Sequence, residues 1–243
     1  MVFMYEERLY RNLFKGINLE FFDVCKFETD LRIGAKKNLY SEAMELIEGF
    51  REQLETYIDA NPLFLSSLEP VDPQPGAPKI VKQMCHASRK ASVGPMAAVA
   101  GAISELVGLE LLKHTDEVIV ENGGDIFIKT NLTRKVGIYA GNSPLSEKIA
   151  IEIEARKTPM GICTSSGTVG HSLSYGKADA AMIIARDTFL ADAVATATGN
   201  RVKTAEDIEA GLDFASRIEG IDGALIIVRD KMGIWGDIKL VKL

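Results

Sequence analysis

The chain has 243 residues, enough to bury a sizeable core in one large domain or two small ones, and its 47% hydrophobic and 26% charged residues exclude a disordered or fibrous protein. A formal net charge of −6, with no basic run longer than a pair such as Lys36-Lys37, argues against sequence-independent nucleic-acid binding. Three cysteines, Cys25, Cys85 and Cys163, form no C-x-x-C pair, which argues against a disulfide framework or structural zinc and for a reducing, cytoplasmic setting.

The first residues, MVFMYEERLYR, contain no apolar run of signal-peptide length, and no stretch approaches the roughly 18 apolar residues of a membrane span. Neither export nor a membrane is therefore expected. Over residues 1–38, alternation in LEFFDVCKF and TDLRIGA predicts two or three antiparallel strands. From Leu39 to about Ala60 the period changes: Ala43, Leu46, Ile47, Phe50, Leu54, Tyr57 and Ile58 recur at helical steps, and Asn61-Pro62 stops the helix. Residues 69–78, EPVDPQPGAP, hold four of the eight prolines and read as an internal linker or surface loop within a single domain spanning 1–243.

Lys79 to Ala91 reads as a helix, and Gly94 to Leu112 contains a second one rich in small residues, suited to close packing in the core or to a dimer seam. EVIVENGGDIFIKT places two β-branched runs around Asn122-Gly123-Gly124-Asp125, and further strands are expected near 135–140 and 148–154. GICTSSGTVGHSLSYGKADAAMIIA runs from a strand through a Ser/Gly-rich loop into another apolar strand. DTFLADAVATATGN and TAEDIEAGLDFASRIEG read as helices, and ALIIVRD with IKLVKL as closing strands around Gly233. Strands arrive in runs with helices gathered between them, which predicts an α+β fold with a mostly antiparallel sheet and packed helices.

An acidic protein that handles a phosphate ligand must neutralise it with backbone N–H groups, a helix N-terminus or a cation. Four stretches could do so. Asp192 and Thr196 stand i, i+4 on a helix, so both oxygens share one face and suit magnesium or calcium; first-turn dipole stabilisation explains Asp192 equally well. Asn122-Gly123-Gly124-Asp125 could let backbone approach a ligand, or be only a hairpin turn. Thr164-Ser165-Ser166-Gly167-Thr168 could hold phosphates, with His171 as a general base, or form a plain polar loop. Val93-Gly94-Pro95-Met96-Ala97-Ala98 could bare helix-start N–H groups to an anion, although helix packing accounts for the same small residues.

In this order the stretches resemble the ApbE superfamily, best known for FAD:protein FMN transferases. Asn122-Gly123-Gly124-Asp125-Ile126 is similar to its N-x-G-G-D-I turn, Thr164-Ser165-Ser166-Gly167 to its T-S-G loop, and Ala191-Asp192-Ala193-Val194-Ala195-Thr196-Ala197 to its A-D-A-x-A-T-A helix. The resemblance covers roughly residues 85–200 and implies an ApbE-like, T-fold-related architecture. It implies Mg2+ held by Asp192, Thr196 and a backbone carbonyl, and FAD lying along Asn122, Gly123, Gly124, Asp125, Thr164, Ser165, Ser166 and Gly167, with Gly94 and Met96 nearby. It also implies catalytic roles for Asp192 and His171, and an acceptor protein whose threonine receives FMN. The chain departs from that pattern in three places. Ser172-Leu173-Ser174-Tyr175-Gly176-Lys177-Ala178-Asp179 replaces the D-P-x-T-G segment after His171, Gly94-Pro95-Met96-Ala97 lacks the lysine of a K-G-x-A start, and no export signal or lipobox is expected. The sequence looks like a shorter, cytosolic branch.

Three functions follow as expectations: a magnesium-dependent flavin transferase or FAD pyrophosphatase, a flavin-binding module without turnover, or a different small-molecule reaction built on His86, Lys90, Cys163 or Asp179.

Overall fold

A two-residue alternation of apolar side chains builds the centre of the molecule, and the computed structural model describes it over Arg11, residues 18–168 and residues 175–243. In chain order, the hairpin β1 (Glu20–Lys26) and β2 (Thr29–Ala35) is followed by α1 (Tyr40–Ala60), one-turn α2 (Leu63–Ser66), α3 (Lys79–Ala91) and α4 (Val99–Leu111). Strands β3 (Val118–Asn122), β4 (Asp125–Lys129), β5 (Arg134–Gly137), β6 (Ile149–Ile153), β7 (Met160–Ser165) and β8 (Ala180–Ala185) come next. The chain closes with α5 (Thr188–Arg201), α6 (Ile208–Ser216), β9 (Ile221–Val228), β10 (Lys231–Gly236) and β11 (Leu240–Lys242).

Eight strands form one sheet in the order β1-β2-β3-β4-β7-β8-β9-β10, and β11-β6-β5 form a second, three-stranded sheet. Every strand pairing among the described residues is antiparallel, so the architecture is α+β as expected. Both faces of the large sheet are covered. Val118, Val120, Phe127, Cys163 and Ile183 join the cluster under the helices, whereas Ile119, Ile126, Ile128, Ile162 and Ile184 join Ile151 and Ile153 of the small sheet. The pleat thus assigns each position of β3, β4 and β7 to one face or the other.

The central helix α5 is buried from Thr188 through Ala195, which explains why its sequence is apolar around its whole circumference rather than along one stripe. Its start is fixed twice: Asp187 Oδ1 accepts from the Leu190 N–H at 3.0 Å and Glu105 Oε2 from the Thr188 N–H at 2.6 Å. The proline-rich stretch 69–78 carries no regular element but is tied down. The Gln74 N–H donates to Tyr57 Oη at 3.0 Å, Val71 packs against the helix-side core, and Arg89 of α3 pairs with Asp72.

Three details differ from the sequence reading. The segment before α4 is a 3-10 turn at Pro95–Ala98 rather than α-helix. Gly233 lies inside a strand of its own, β10, whose two glycines and half-exposed side chains give too weak an alternation to read. The last strand leaves the large sheet and pairs with β6.

A polar network closes the gap between the two sheets. The nearly fully buried Glu117 accepts at Oε2 from Thr130 Oγ1 (2.8 Å), the Asn131 N–H (2.9 Å) and Arg134 Nη2 (3.0 Å), and at Oε1 from Asn18 Nδ2 (2.7 Å). Burial alone would raise this carboxyl, but the Asn131, Thr130, Arg134 and Asn18 donors outweigh it and hold it down at about 2. No single helix among the described residues is long and apolar enough to cross a membrane.

Candidate functional site

Asn122 and Asp125 close the β3–β4 hairpin as its last paired residues, and the two residues between them, Gly123 (φ 68°) and Gly124 (φ 104°), occupy the left-handed region that a two-residue hairpin turn demands. Alternation along β4 puts Asp125 on the same face as Phe127, the helix side of the sheet. Asn122 faces the same way, and its Nδ2 donates to the Ala100 carbonyl at 3.2 Å.

Helix α5 brings Asp192 to this place from the other side. Asp192 is buried, and its Oδ2 accepts from the Gly101 N–H at 2.8 Å, with the Ala100 N–H also stabilising the carboxylate. The approach needs a glycine in α4, because a Cβ at Gly101 would lie 2.5 Å from the Thr188 carbonyl oxygen and 2.8 Å from Asp192 Cβ. Gly101→Ala is therefore expected to destabilise the protein by about 1–3 kcal/mol through overpacking, read from the midpoint of urea unfolding.

Asp125 and Asp192 form a buried carboxylate pair. Burial first, and then the charge of Asp192 beside it, push the Asp125 carboxyl well up from its usual range, against hydrogen bonding from the Cys163 thiol and the Thr164 backbone. Burial likewise raises Asp192. Asp125 Oδ1 is buried without a hydrogen-bond partner. Two crowded carboxylates and an orphaned oxygen form a donor set that fits a small divalent cation, which would satisfy the orphan and remove the repulsion. Thr196, one turn beyond Asp192 and half-buried, adds a hard oxygen to the same helix. Among the described residues there is no group of three or more His, Cys, Asp or Glu that could hold a metal, so the remaining ligands of such a cation would be hydroxyl, carbonyl, water or phosphate oxygens. That mixture is characteristic of magnesium.

The Thr164–Gly167 stretch is half strand and half loop. Thr164 and Ser165 end β7, while Ser166 and Gly167 follow it, and Ser165 Oγ lies 3.3 Å from where a Cβ of Gly199 in α5 would stand. Asp179 anchors the far end: it accepts from Thr168 Oγ1 at 3.0 Å and from the Arg229 N–H at 2.5 Å. The Thr164 carbonyl oxygen lies 3.5 Å from where a Cβ of Gly124 would stand, so the end of β7 meets the β3–β4 turn. Gly94 is fixed by packing, since a Cβ there would collide with the Ser67 carbonyl oxygen, and Met96 packs against the helix-side core. The N–H groups at the start of α4 that a ligand anion would use are already taken by Asp192.

His171 lies outside the described residues. His86 and Lys90 are exposed on α3. Cys163 is buried beside Asp125, and burial, followed by the charges of Asp125 and Asp192, raises its thiol far above the range of a nucleophile. Sequence reasoning treated Asp125 as a nucleotide contact and missed its pairing with Asp192, because no spacing along the chain links the two. The role of Ala100 and Gly101 as donors was hidden in a run of small residues.

The UPF0280 protein of Methanocella arvoryzae is 41% identical over 211 residues, covering 86% of this chain and 85% of that one. The UPF0280 protein of Methanospirillum hungatei is 46% identical over 214 residues, covering 87% and 85%. Among solved structures, the apo form of the Pseudomonas stutzeri flavinyl transferase ApbE superposes with a TM-score of 0.60 at 16% identity, covering 92% of this chain and 94% of that one. The ApbE protein of Thermotoga maritima superposes with a TM-score of 0.56 at 13% identity, covering 88% and 96%. These likenesses place the fold with the ApbE structures. The family model described as AbpE bacteria matches residues 11–234, and the chain belongs to that ApbE-like family.

Proposed function

We propose that the chain binds FAD through a magnesium ion at the Asp125–Asp192 site and acts on the dinucleotide's pyrophosphate. The observation that carries this reading is the buried carboxylate pair with its orphaned Asp125 Oδ1, a donor set that is costly to maintain unless a cation completes it. Asp192 and Thr196, with Asp125 beside them, would hold the ion. When bound, Mg2+ neutralises charge on the pyrophosphate oxygens. Asn122 fixes the Ala100 carbonyl next to the site, and the Gly101 N–H orients the Asp192 carboxylate. Gly123 and Gly124 keep the turn free of side chains where the nucleotide would approach, and Thr164, Ser165 and Ser166 offer hydroxyls along its length. In phosphoryl transfer a hydroxyl oxygen, from an acceptor protein or from water, attacks the FMN phosphorus and AMP leaves. The likeness of the fold to the Pseudomonas stutzeri flavinyl transferase ApbE supports this substrate class.

The test is calorimetry of the purified chain with FAD in MgCl2 and in EDTA, followed by chromatography for AMP and FMN. Magnesium-dependent binding with AMP release is the expected result. No affinity for FAD, FMN or ADP in millimolar magnesium would overturn the reading. A second reading, a flavin carrier without turnover, draws on the replaced D-P-x-T-G segment at Ser172–Asp179, and tight binding without AMP or FMN release selects it.

A further inference from the structure

Glu121 is the only charged residue within β3, and it is fully buried. The pleat turns it away from Asn122 and the helices, onto the opposite face of the sheet. There its Oε2 accepts from Arg11 Nε at 2.7 Å. The same guanidinium donates from Nη1 to Asp30 Oδ1 at 2.8 Å and from Nη2 to the Asp30 carbonyl at 2.7 Å, so its planar fork spans β2 and β3. The second oxygen of Glu121, Oε1, accepts from the Gly124 N–H at 2.9 Å. That contact reaches the middle of the site turn, whose two glycines have no side chains to restrain them.

We propose that Arg11 and Glu121 are positioning residues that hold the Gly123-Gly124 turn, and with it Asp125, from the face of the sheet opposite the site. Arg11 gives Glu121 a counter-charge, and taking a counter-charge away from a buried carboxylate disturbs its geometry. Gly124 needs Glu121, because an N–H in a two-glycine turn otherwise has only water to bond. Arg11 thereby becomes part of the site's scaffold, 110 residues away in sequence from the carboxylate it grips. The effect on ligand binding rests on the magnesium–FAD reading above, whereas the effect on the turn does not.

Hydrogen exchange of the Gly124 amide, resolved by NMR in the full chain, tests the geometry without any ligand. In Arg11→Met this amide is expected to exchange about tenfold faster or more, while amides in the core of β8 keep their protection. Arg11→Lys, which restores the charge but not the fork, should fall between Met and the native residue. Glu121→Gln, which keeps an acceptor for Gly124, should loosen the turn less than Arg11→Met. Calorimetry with FAD and MgCl2 on the same proteins is expected to show affinity falling in the same order. Equal Gly124 exchange in native and Arg11→Met protein overturns the inference, as does a rise shared by all core amides. Should Arg11→Met fail to fold, Arg11→Lys and Glu121→Gln carry the comparison. If the native chain binds no flavin nucleotide, the functional reading falls and the exchange rates still decide the role of Arg11 and Glu121.

Discussion

Asp192→Asn is expected to weaken magnesium-dependent FAD binding by about a hundredfold or more while leaving the folded state at least as stable as before. The two effects have separate causes. Asparagine keeps a carbonyl oxygen to accept from the Gly101 N–H, so the α4–α5 contact survives. It removes the charge that a cation requires, and with it the repulsion that raises the buried Asp125 carboxyl. A residue kept for binding at the expense of stability shows this pattern, whereas a residue kept for packing shows the reverse. Calorimetric affinity and thermal midpoint, measured side by side, distinguish them. Loss of stability with intact affinity would remove Asp192 from the site.

Acid stability should report on Glu117. Its carboxyl is held at about 2 in the folded protein against an ordinary value of 4.5, so the unfolded chain takes up the proton first as pH falls. The stabilisation is complete above the ordinary value and disappears as pH drops through about 2, with a total of about 3 kcal/mol at 1.36 kcal/mol per unit. Glu117→Gln is expected to lose that amount at neutral pH and to lack the corresponding part of the acid limb. Urea unfolding from pH 7 to pH 2 checks it: the difference between native and variant must shrink as pH falls. A difference that stays constant across that range would assign the loss to packing around Thr130 and Arg134.

Much of the fold was readable along the chain because its determinants are local. Alternating residues mark β1 and β2, helical spacing marks α1, and the Asn122–Asp125 turn announces its hairpin through two glycines that accept positive φ. Helix α5 was readable in DTFLADAVATATGN, and Asp192 and Thr196 stood out there as an i, i+4 pair, because both features lie within a few residues. What escaped depends on distance in sequence. The Asp125–Asp192 pairing, the Arg11–Glu121 ion pair and the four donors converging on Glu117 join residues that no period or motif connects. A charged residue inside an apolar run, such as Glu121 within VIVEN, was the one available hint. Strand β10 escaped for the opposite reason: it is local, but its glycines leave too few side chains to show a pattern.

The pleat that sorts β3 and β4 also makes the geometry of the site discrete. Asn122 and Asp125 share their face with Val120 and Phe127, so the hydrophobic positions that select a pairing also select which way the carboxylate points. A slip of one residue would send Asp125 to the far side of the sheet and bury Ile126 where it stood, with no intermediate arrangement available. The placement of Asp125 is therefore all-or-none with respect to register: a variant that lets β3 and β4 slip should give a mixture of two populations, one with the carboxylate on the helix side and one without.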